Sequence, residues 1–230
     1  CGPKLPTASV TLMRSISASR KLLPWCGVVG PLLFTAAWVA GSLRQTGHSA
    51  ADVQLRGLAA MDARDPQILI AGFVGLGTCS IVFGDALRQS RVSGTAAPWL
   101  VMCGGAATAA AGVFRRDHML LTGPGFAGES WHNQVHDVVS GAAYTAMLVA
   151  PLVLSRRFRT DSAWAPLSRP ILILGLISAG ALALFATRLL DPWNPVLQRA
   201  AVTLSLSAEV LIAARVLTLD RPNAAVPGGC

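Results

Sequence analysis

Charged side chains are scarce in this sequence, and their scarcity excludes an ordinary soluble domain. Only 13% of the 230 residues are charged, and 53% are hydrophobic, whereas soluble domains carry roughly 25% charged residues. The mean hydropathy is also positive. The composition therefore predicts a membrane protein.

Several motifs that would indicate other functions are absent. The five cysteines show no Cys-x-x-Cys spacing, so no disulfide framework is expected. There is no Walker loop and no glycine fingerprint after a strand, so nucleotide chemistry is not expected. The net charge is +8. The Lys and Arg residues that produce it are distributed as expected for the loops of a membrane protein rather than on one basic face, so no nucleic-acid partner is expected.

Long apolar runs are present, and they predict an all-α fold. A bilayer core about 30 Å thick needs about 20 apolar helical residues, and backbone groups in lipid must be paired within helices or closed barrels. The sequence predicts an integral membrane bundle of six transmembrane helices within residues 23–219: 23–43, 67–87, 98–114, 135–154, 170–190 and 199–219. Residues 1–22 and 220–230 are predicted to be cytoplasmic, the first segment disordered.

The basic residues predict the orientation of these spans. Twelve of the 19 Lys and Arg residues lie in the termini and in the second and fourth hinges. The other seven share the opposite side with seven of the eleven acids and all four histidines. The positive-inside rule then places both termini in the cytoplasm. The expected location is a cytoplasmic membrane.

Two further segments have a predicted packing role. The third span, "WLVMCGGAATAAAGVF", consists mostly of small residues, which allow helix backbones to approach closely. It is predicted to be a central packing helix. The loop from Arg44 to Pro66 is predicted to hold a short helix around Val53 to Ala63, lying at the membrane interface.

Short motifs spread from Leu23 to Leu219 resemble one known family. They are "GVVGPLLF" in the first span, "HS" at His48, "GVFRRD" ending at Asp117, "HD" at His136 and Asp137, and "LQR" ending at Arg199, together with Gln67. In these positions the chain resembles the bacterial membrane-protein family catalogued as domain of unknown function 998. The resemblance implies a six-helix architecture with a site on the outer face, and no established activity.

Two residues depart from that family's pattern, and one of them raises the question of a metal. His132 and Arg116 look like additions. His132 and His136 are spaced i, i+4, so on a helix both imidazoles share one face and need a third ligand to hold a metal. Asp117, Glu129 and His48 are candidates for that ligand. No cofactor is predicted, and a metal ion at this histidine pair is the alternative.

Two polar stripes run inward from the outer ends of the fourth and last spans. His136, Ser140 and Tyr144 follow i, i+4, i+8 spacing, and Gln198, Ser205 and Glu209 follow i, i+7, i+11 spacing. A charged side chain at the bilayer centre costs about 2.5 kcal/mol or more, so Glu209 is expected to face the bundle interior.

The two stripes predict a polar pocket that opens to the outside and is lined by both helices. The residues predicted to be catalytic are Asp117, His136, Asp137 and Glu209. The residues predicted to bind substrate are His48, Gln67, Ser140, Tyr144, Arg188, Gln198 and Ser205. Direct pairing of Arg188 with Glu209 is not expected, because the two lie at different depths.

Three functions fit this pocket. One is a membrane-embedded enzyme acting on a lipid or isoprenoid-like substrate, with His136 and Asp137 as an acid/base pair and Glu209 as a proton donor. The second is a non-catalytic module that binds membrane lipid or a small hydrophobic molecule, or that serves as a subunit of an unknown protein partner. The third is a proton-coupled carrier, which is disfavoured because no pair of broken-helix repeats is visible.

Overall fold

The computed structural model describes residues 22–49, 51–90, 96–120, 130–191 and 193–219. The described residues form six α-helices and no strands. The helices are α1 (Cys26–Arg44), α2 (Gln67–Gln89), α3 (Ala96–Val113), α4 (Trp131–Phe158), α5 (Ala165–Thr187) and α6 (Asn194–Leu219). A 3-10 turn, Leu23–Trp25, leads directly into α1.

All six helices are long and apolar enough to cross a membrane. The prediction of an all-α membrane bundle is therefore confirmed. The chain is a multi-pass membrane protein. The predicted orientation of its termini stays a prediction.

The helices form a ring. Each helix packs against the helices before and after it in the chain, and α6 returns to pack against α1. A smaller contact between α4 and α6 crosses the interior. Leu23 at the start and Val216 near the end of the described chain pack in one apolar cluster, so the first and last spans meet at the same end. We call this the terminus-bearing end and the opposite one the loop-capped end.

The small residues of α3 allow the close helix contact that the sequence predicts. A Cβ atom added to Gly105 would lie 2.6 Å from the carbonyl oxygen of Gly77 on α2, so no larger residue fits at this crossing. However, α3 is not a central helix. It is one wall of the ring, between α2 and α4.

The helix ends differ from the predicted spans, and at α4 a side-chain cap decides where the helix starts. α4 begins at Trp131 rather than at residue 135, since the Ser130 hydroxyl caps it by accepting a hydrogen bond from the Asn133 N–H at 3.3 Å. α6 begins five residues early, at Asn194, with Pro195 in its first turn. α5 runs from Ala165 to Thr187 rather than over 170–190.

Candidate functional site

A loop covers the end of the ring where both polar stripes begin. We call residues 51–66 the cap loop. Most of its apolar side chains turn inward, and Val53, Leu55 and Leu58 are only 1–2% exposed, whereas Met61 is exposed. The sequence predicted an interfacial helix around Val53 to Ala63. The short helix is present within that range as the 3-10 helix Leu55–Ala59, but it packs into the bundle with Phe34 and Leu206.

Two residues in the second turn of α6 fix the cap loop to the bundle. The Gln198 Oε1 accepts a hydrogen bond from the Leu55 N–H at 2.8 Å, and its Nε2 donates to the Tyr144 hydroxyl at 2.6 Å. The Arg199 guanidinium donates to the Val53 carbonyl at 2.8 Å. Both side chains are buried. The contact between Gln198 and Tyr144 joins the stripes of α4 and α6.

An ion pair fastens the cap loop to α4. The Arg56 Nη1 lies 2.8 Å from the Asp137 Oδ1, and the Arg56 Nε donates to the Gln54 side chain at 2.8 Å. The Asn133 amide donates to the other carboxylate oxygen of Asp137 at 3.4 Å. Asp137 is therefore held in a structural network, with both oxygens engaged.

Asp117 precedes α4 and stabilises its start. Its two carboxylate oxygens accept hydrogen bonds from the Ser130 hydroxyl at 2.6 Å and from the Ser130 N–H at 2.7 Å. These bonds, with the hydroxyl contributing most, hold the pKa of Asp117 below its ordinary value. Asp117 is thus an anion that positions the end of a helix.

His136 is completely buried and contacts the end of α3. Its Nδ1 lies 3.0 Å from the Ala111 carbonyl oxygen and 2.7 Å from that of Phe114. Because carbonyl oxygens only accept, Nδ1 carries a proton and acts as the donor. The buried Nε2 has no hydrogen-bond partner among the described residues. The imidazole therefore connects α4 to α3.

Among the residues that the structure describes, the histidine pair has no third ligand for a metal ion. The ring of His132 lies against Trp131, with ring centroids 3.7 Å apart. Within the described ranges, no three His, Cys, Asp or Glu side chains lie close enough to hold a metal ion. Glu129, one of the candidate third ligands, lies outside the described residues.

Three predicted substrate-binding residues lie away from the bundle interior. His48 lies in the turn after α1, where its Nδ1 is 3.3 Å from the Thr46 carbonyl oxygen. Gln67 is exposed at the first position of α2. Arg188 is exposed after the last turn of α5 and pairs with Asp191 at 3.0 Å. The structure does not bring these residues together with Glu209.

Two adjacent cavities lie inside the ring below the cap loop. The cavity nearer the loop has a volume of about 30 Å³ and is lined by Leu55, Arg56, Ser140 and Tyr144 together with apolar side chains. The deeper cavity has a volume of about 60 Å³ and lies between α2, α3, α4 and α6. Four residues line both cavities and separate them: Leu76, Thr108, Ala143 and Met147.

Glu209 lies at the deeper cavity, as its expected orientation towards the bundle interior requires. Its Oε1 accepts a hydrogen bond from the Ser80 hydroxyl of α2 at 3.1 Å. Ser205 also lines this cavity, and its hydroxyl is 2.7 Å from that of Ser178 on α5. Among the described residues that line the two cavities, Glu209 is the only carboxylate.

Three residues that shape these cavities were not predicted from the sequence: Arg56, Ser80 and Thr108. Arg56 lies in a loop, and its charge alone could not show that it turns inward to pair with Asp137. Ser80 and Thr108 lie in stretches rich in small residues, where a hydroxyl is common on any face. The distance from Ser80 to Glu209 depends on how α2 and α6 meet across the ring.

The fold and these buried polar contacts define a class, a six-helix multi-pass membrane protein. A family model described as "Protein of unknown function (DUF998)" matches residues 28–215, which is most of the chain. The protein therefore belongs to this family, and the resemblance stated from its motifs is confirmed. No curated protein and no solved structure matches the chain.

Proposed function

We propose that this protein binds a small, largely apolar molecule inside its helix ring, with Glu209 as the polar anchor. The observation that carries this proposal is the cavity of about 60 Å³ lined mostly by apolar side chains, with the Glu209 carboxyl and its partner Ser80 in the wall. Ligand sites commonly combine an apolar lining with a few placed polar groups. A hydroxyl or amine on the ligand would complete the hydrogen bonding of Glu209.

The size of the cavity limits what it can hold. One water needs about 10–15 Å³ of such space, and a cavity of about 150 Å³ holds benzene. The deeper cavity therefore suits a few waters or one end of a slender molecule, whose remainder would extend along the neighbouring cavity or between helices. A lipid or isoprenoid-like molecule entering from the membrane has this form.

Binding is supported better than catalysis. An enzyme using His136, Asp137 and Glu209 would need all three to reach one substrate. His136 and Asp137 line neither cavity, and Asp137 is paired with Arg56. The Nδ1 of His136 is engaged with backbone carbonyls. The non-catalytic module is therefore the function we favour.

The proposed setting is the bacterial cytoplasmic membrane, with both termini inside and the cap loop on the outer face. The bias of Lys and Arg towards the terminus-bearing end supports this orientation. In this orientation, a ligand would enter from the lipid or after displacement of the cap loop.

The proposal can be tested through the molecules that co-purify with the protein. The wild type and Glu209→Gln would be purified in a mild detergent, extracted with organic solvent and compared by mass spectrometry. A hydrogen bond to a charged group contributes about 1.5–3 kcal/mol, so we expect the bound component to fall about tenfold or more in the variant.

A pair of matched variants separates loss of the cavity from general damage. Ala146→Leu adds three carbon atoms to the cavity wall, whereas Ala186→Leu makes the same change at an exposed position of α5 that lines neither cavity. We expect Ala146→Leu to lose the component and Ala186→Leu to retain it. Identical extracts from all four proteins would refute the proposal.

A further inference from the structure

A separate cleft lies at the terminus-bearing end, between the end of α4 and the start of α5. It has a volume of about 660 Å³ and is lined by Arg159, Ala165, Pro166, Ser168 and Arg169. Both arginines are exposed. Neither guanidinium forms a hydrogen bond or an ion pair with another residue in the part of the chain that the structure describes.

Other described arginines near this end already have partners. Arg88 pairs with Asp85 at 2.7 Å, and Arg215 donates to the Ala163 carbonyl. The acid nearest in sequence to the cleft, Asp161, accepts a hydrogen bond from the Ala163 N–H at 2.9 Å and does not line the cleft. Two cations thus face one cleft without a compensating acid in its wall.

The position of Arg169 on α5 connects the cleft to the lipid-facing surface of that helix. Ile173, Leu176 and Ile177 follow Arg169 at i+4, i+7 and i+8, so all four share one helix face. The three apolar side chains are 54–55% exposed, as lipid-facing residues are. The cleft therefore lies at the head of an apolar stripe along which an acyl chain can run.

We propose that this cleft binds the phosphate group of an anionic phospholipid, with Arg159 and Arg169 holding its oxygens. Arginine is suited to this role because its planar fork donates two parallel hydrogen bonds to a phosphate. Basic clefts at the ends of membrane helices recognise lipid headgroups in this way. The site is independent of the Glu209 cavity.

The test compares lipids on the detergent-purified protein. Dioctanoyl phosphatidylglycerol is expected to raise the unfolding midpoint by about 4 °C more than dioctanoyl phosphatidylcholine when present at tenfold excess over its dissociation constant. The double variant Arg159→Gln/Arg169→Gln is expected to lose this difference, and each single variant to lose part of it. Inorganic phosphate alone is expected to give no comparable rise.

Arg156→Gln is the matched control. Arg156 is exposed in the last turn of α4 and does not line the cleft, so this variant removes the same charge from the same end and should keep the full difference. Three outcomes would overturn the proposal: an equal loss in Arg156→Gln, an equal rise with inorganic phosphate, or no difference between the two lipids for the wild type. If neither single variant reduced the difference between the two lipids, the roles assigned to the two arginines would be wrong.

Discussion

The two ends of the ring are held together by different kinds of contact. At the terminus-bearing end, large apolar side chains fill the space, with Trp164 stacked on Phe158 at 4.7 Å and Ile171 fully buried. At the loop-capped end, Gln198 and Arg199 are buried and hydrogen-bonded to the backbone of a loop.

This difference shows at which end the stability of the fold depends on individual hydrogen bonds. In a bilayer, moving an apolar side chain from lipid into protein gains little transfer energy, so apolar packing between spans depends on shape and van der Waals contact. A buried polar group, in contrast, loses a full hydrogen bond when its partner is removed. Substitutions that conserve the volume of a side chain but remove its polar group should therefore lower the free energy of unfolding at the loop-capped end. Volume-conserving substitutions at the terminus-bearing end should lower it less.

The largest effect is expected at Arg199. Its guanidinium donates to the Val53 and Pro195 carbonyls and lies over the Trp38 ring at 5.5 Å. Arg199→Met would leave the Val53 carbonyl buried without a donor, so we expect the free energy of unfolding to fall by about 3 kcal/mol. Unfolding in mixed micelles with increasing sodium dodecyl sulfate, followed by circular dichroism, measures this value.

The control is an arginine outside the bundle. Arg188 is exposed and its ion pair with Asp191 lies at the surface, so Arg188→Met should change the free energy of unfolding by less than about 1 kcal/mol. If Arg199→Met cost no more than Arg188→Met, the cap loop would not be held as we describe.

A smaller loss in the free energy of unfolding is expected from one volume-conserving substitution at each end of the ring. Gln198→Met removes the acceptor of the Leu55 N–H and should cost about 2 kcal/mol. Ile171→Leu, at the terminus-bearing end, should cost less than about 1.5 kcal/mol after repacking. The same micelle unfolding assay compares them.

A double-mutant cycle shows whether the bond between Gln198 and Tyr144 is the cause. The combination of Gln198→Met with Tyr144→Phe should cost less than the sum of the two single changes, since they remove the same hydrogen bond. Simple additivity would mean that the stripes of α4 and α6 are not coupled through this contact.

The smallest effect is expected from pH at the start of α4. The Ser130 hydroxyl and N–H hold the pKa of Asp117 below its ordinary value in the folded protein. The stabilisation is therefore fully present above the ordinary value, 3.8, and is lost as the pH falls through the lower folded value. We expect the hydrogen-exchange protection factors of the Ser130 and Asn133 amides, measured relative to intrinsic exchange at each pH, to fall in this acidic range.

Two variants check that Asp117 is the group responsible. Asp117→Asn should remove this acid-induced change, and Ser130→Ala should reduce it while the carboxyl stays in place. An unchanged acid response in Asp117→Asn would assign the effect to another group.

The sequence predicted the spans better than the site. Apolar length gave six helices, and their ends differ from the predicted spans by up to five residues; at the start of α4 the reason is the Ser130 cap, which the apolar run does not show. The orientation of Glu209 was predicted because an exposed carboxyl in lipid is costly. Arg188 was grouped with the pocket from its place near a span end, whereas the turn after α5 directs it outward to Asp191.

The sequence by itself determined that this is a helical membrane protein with a protected carboxyl, because bilayer thickness and the cost of charge in lipid act on each span separately. Only the tertiary structure decided that Ser80 meets Glu209, that α3 forms a wall of the ring, and that the cap loop turns inward. Those features depend on how separate helices and loops pack together, and the hydropathy of one helix does not show which neighbouring residues it contacts.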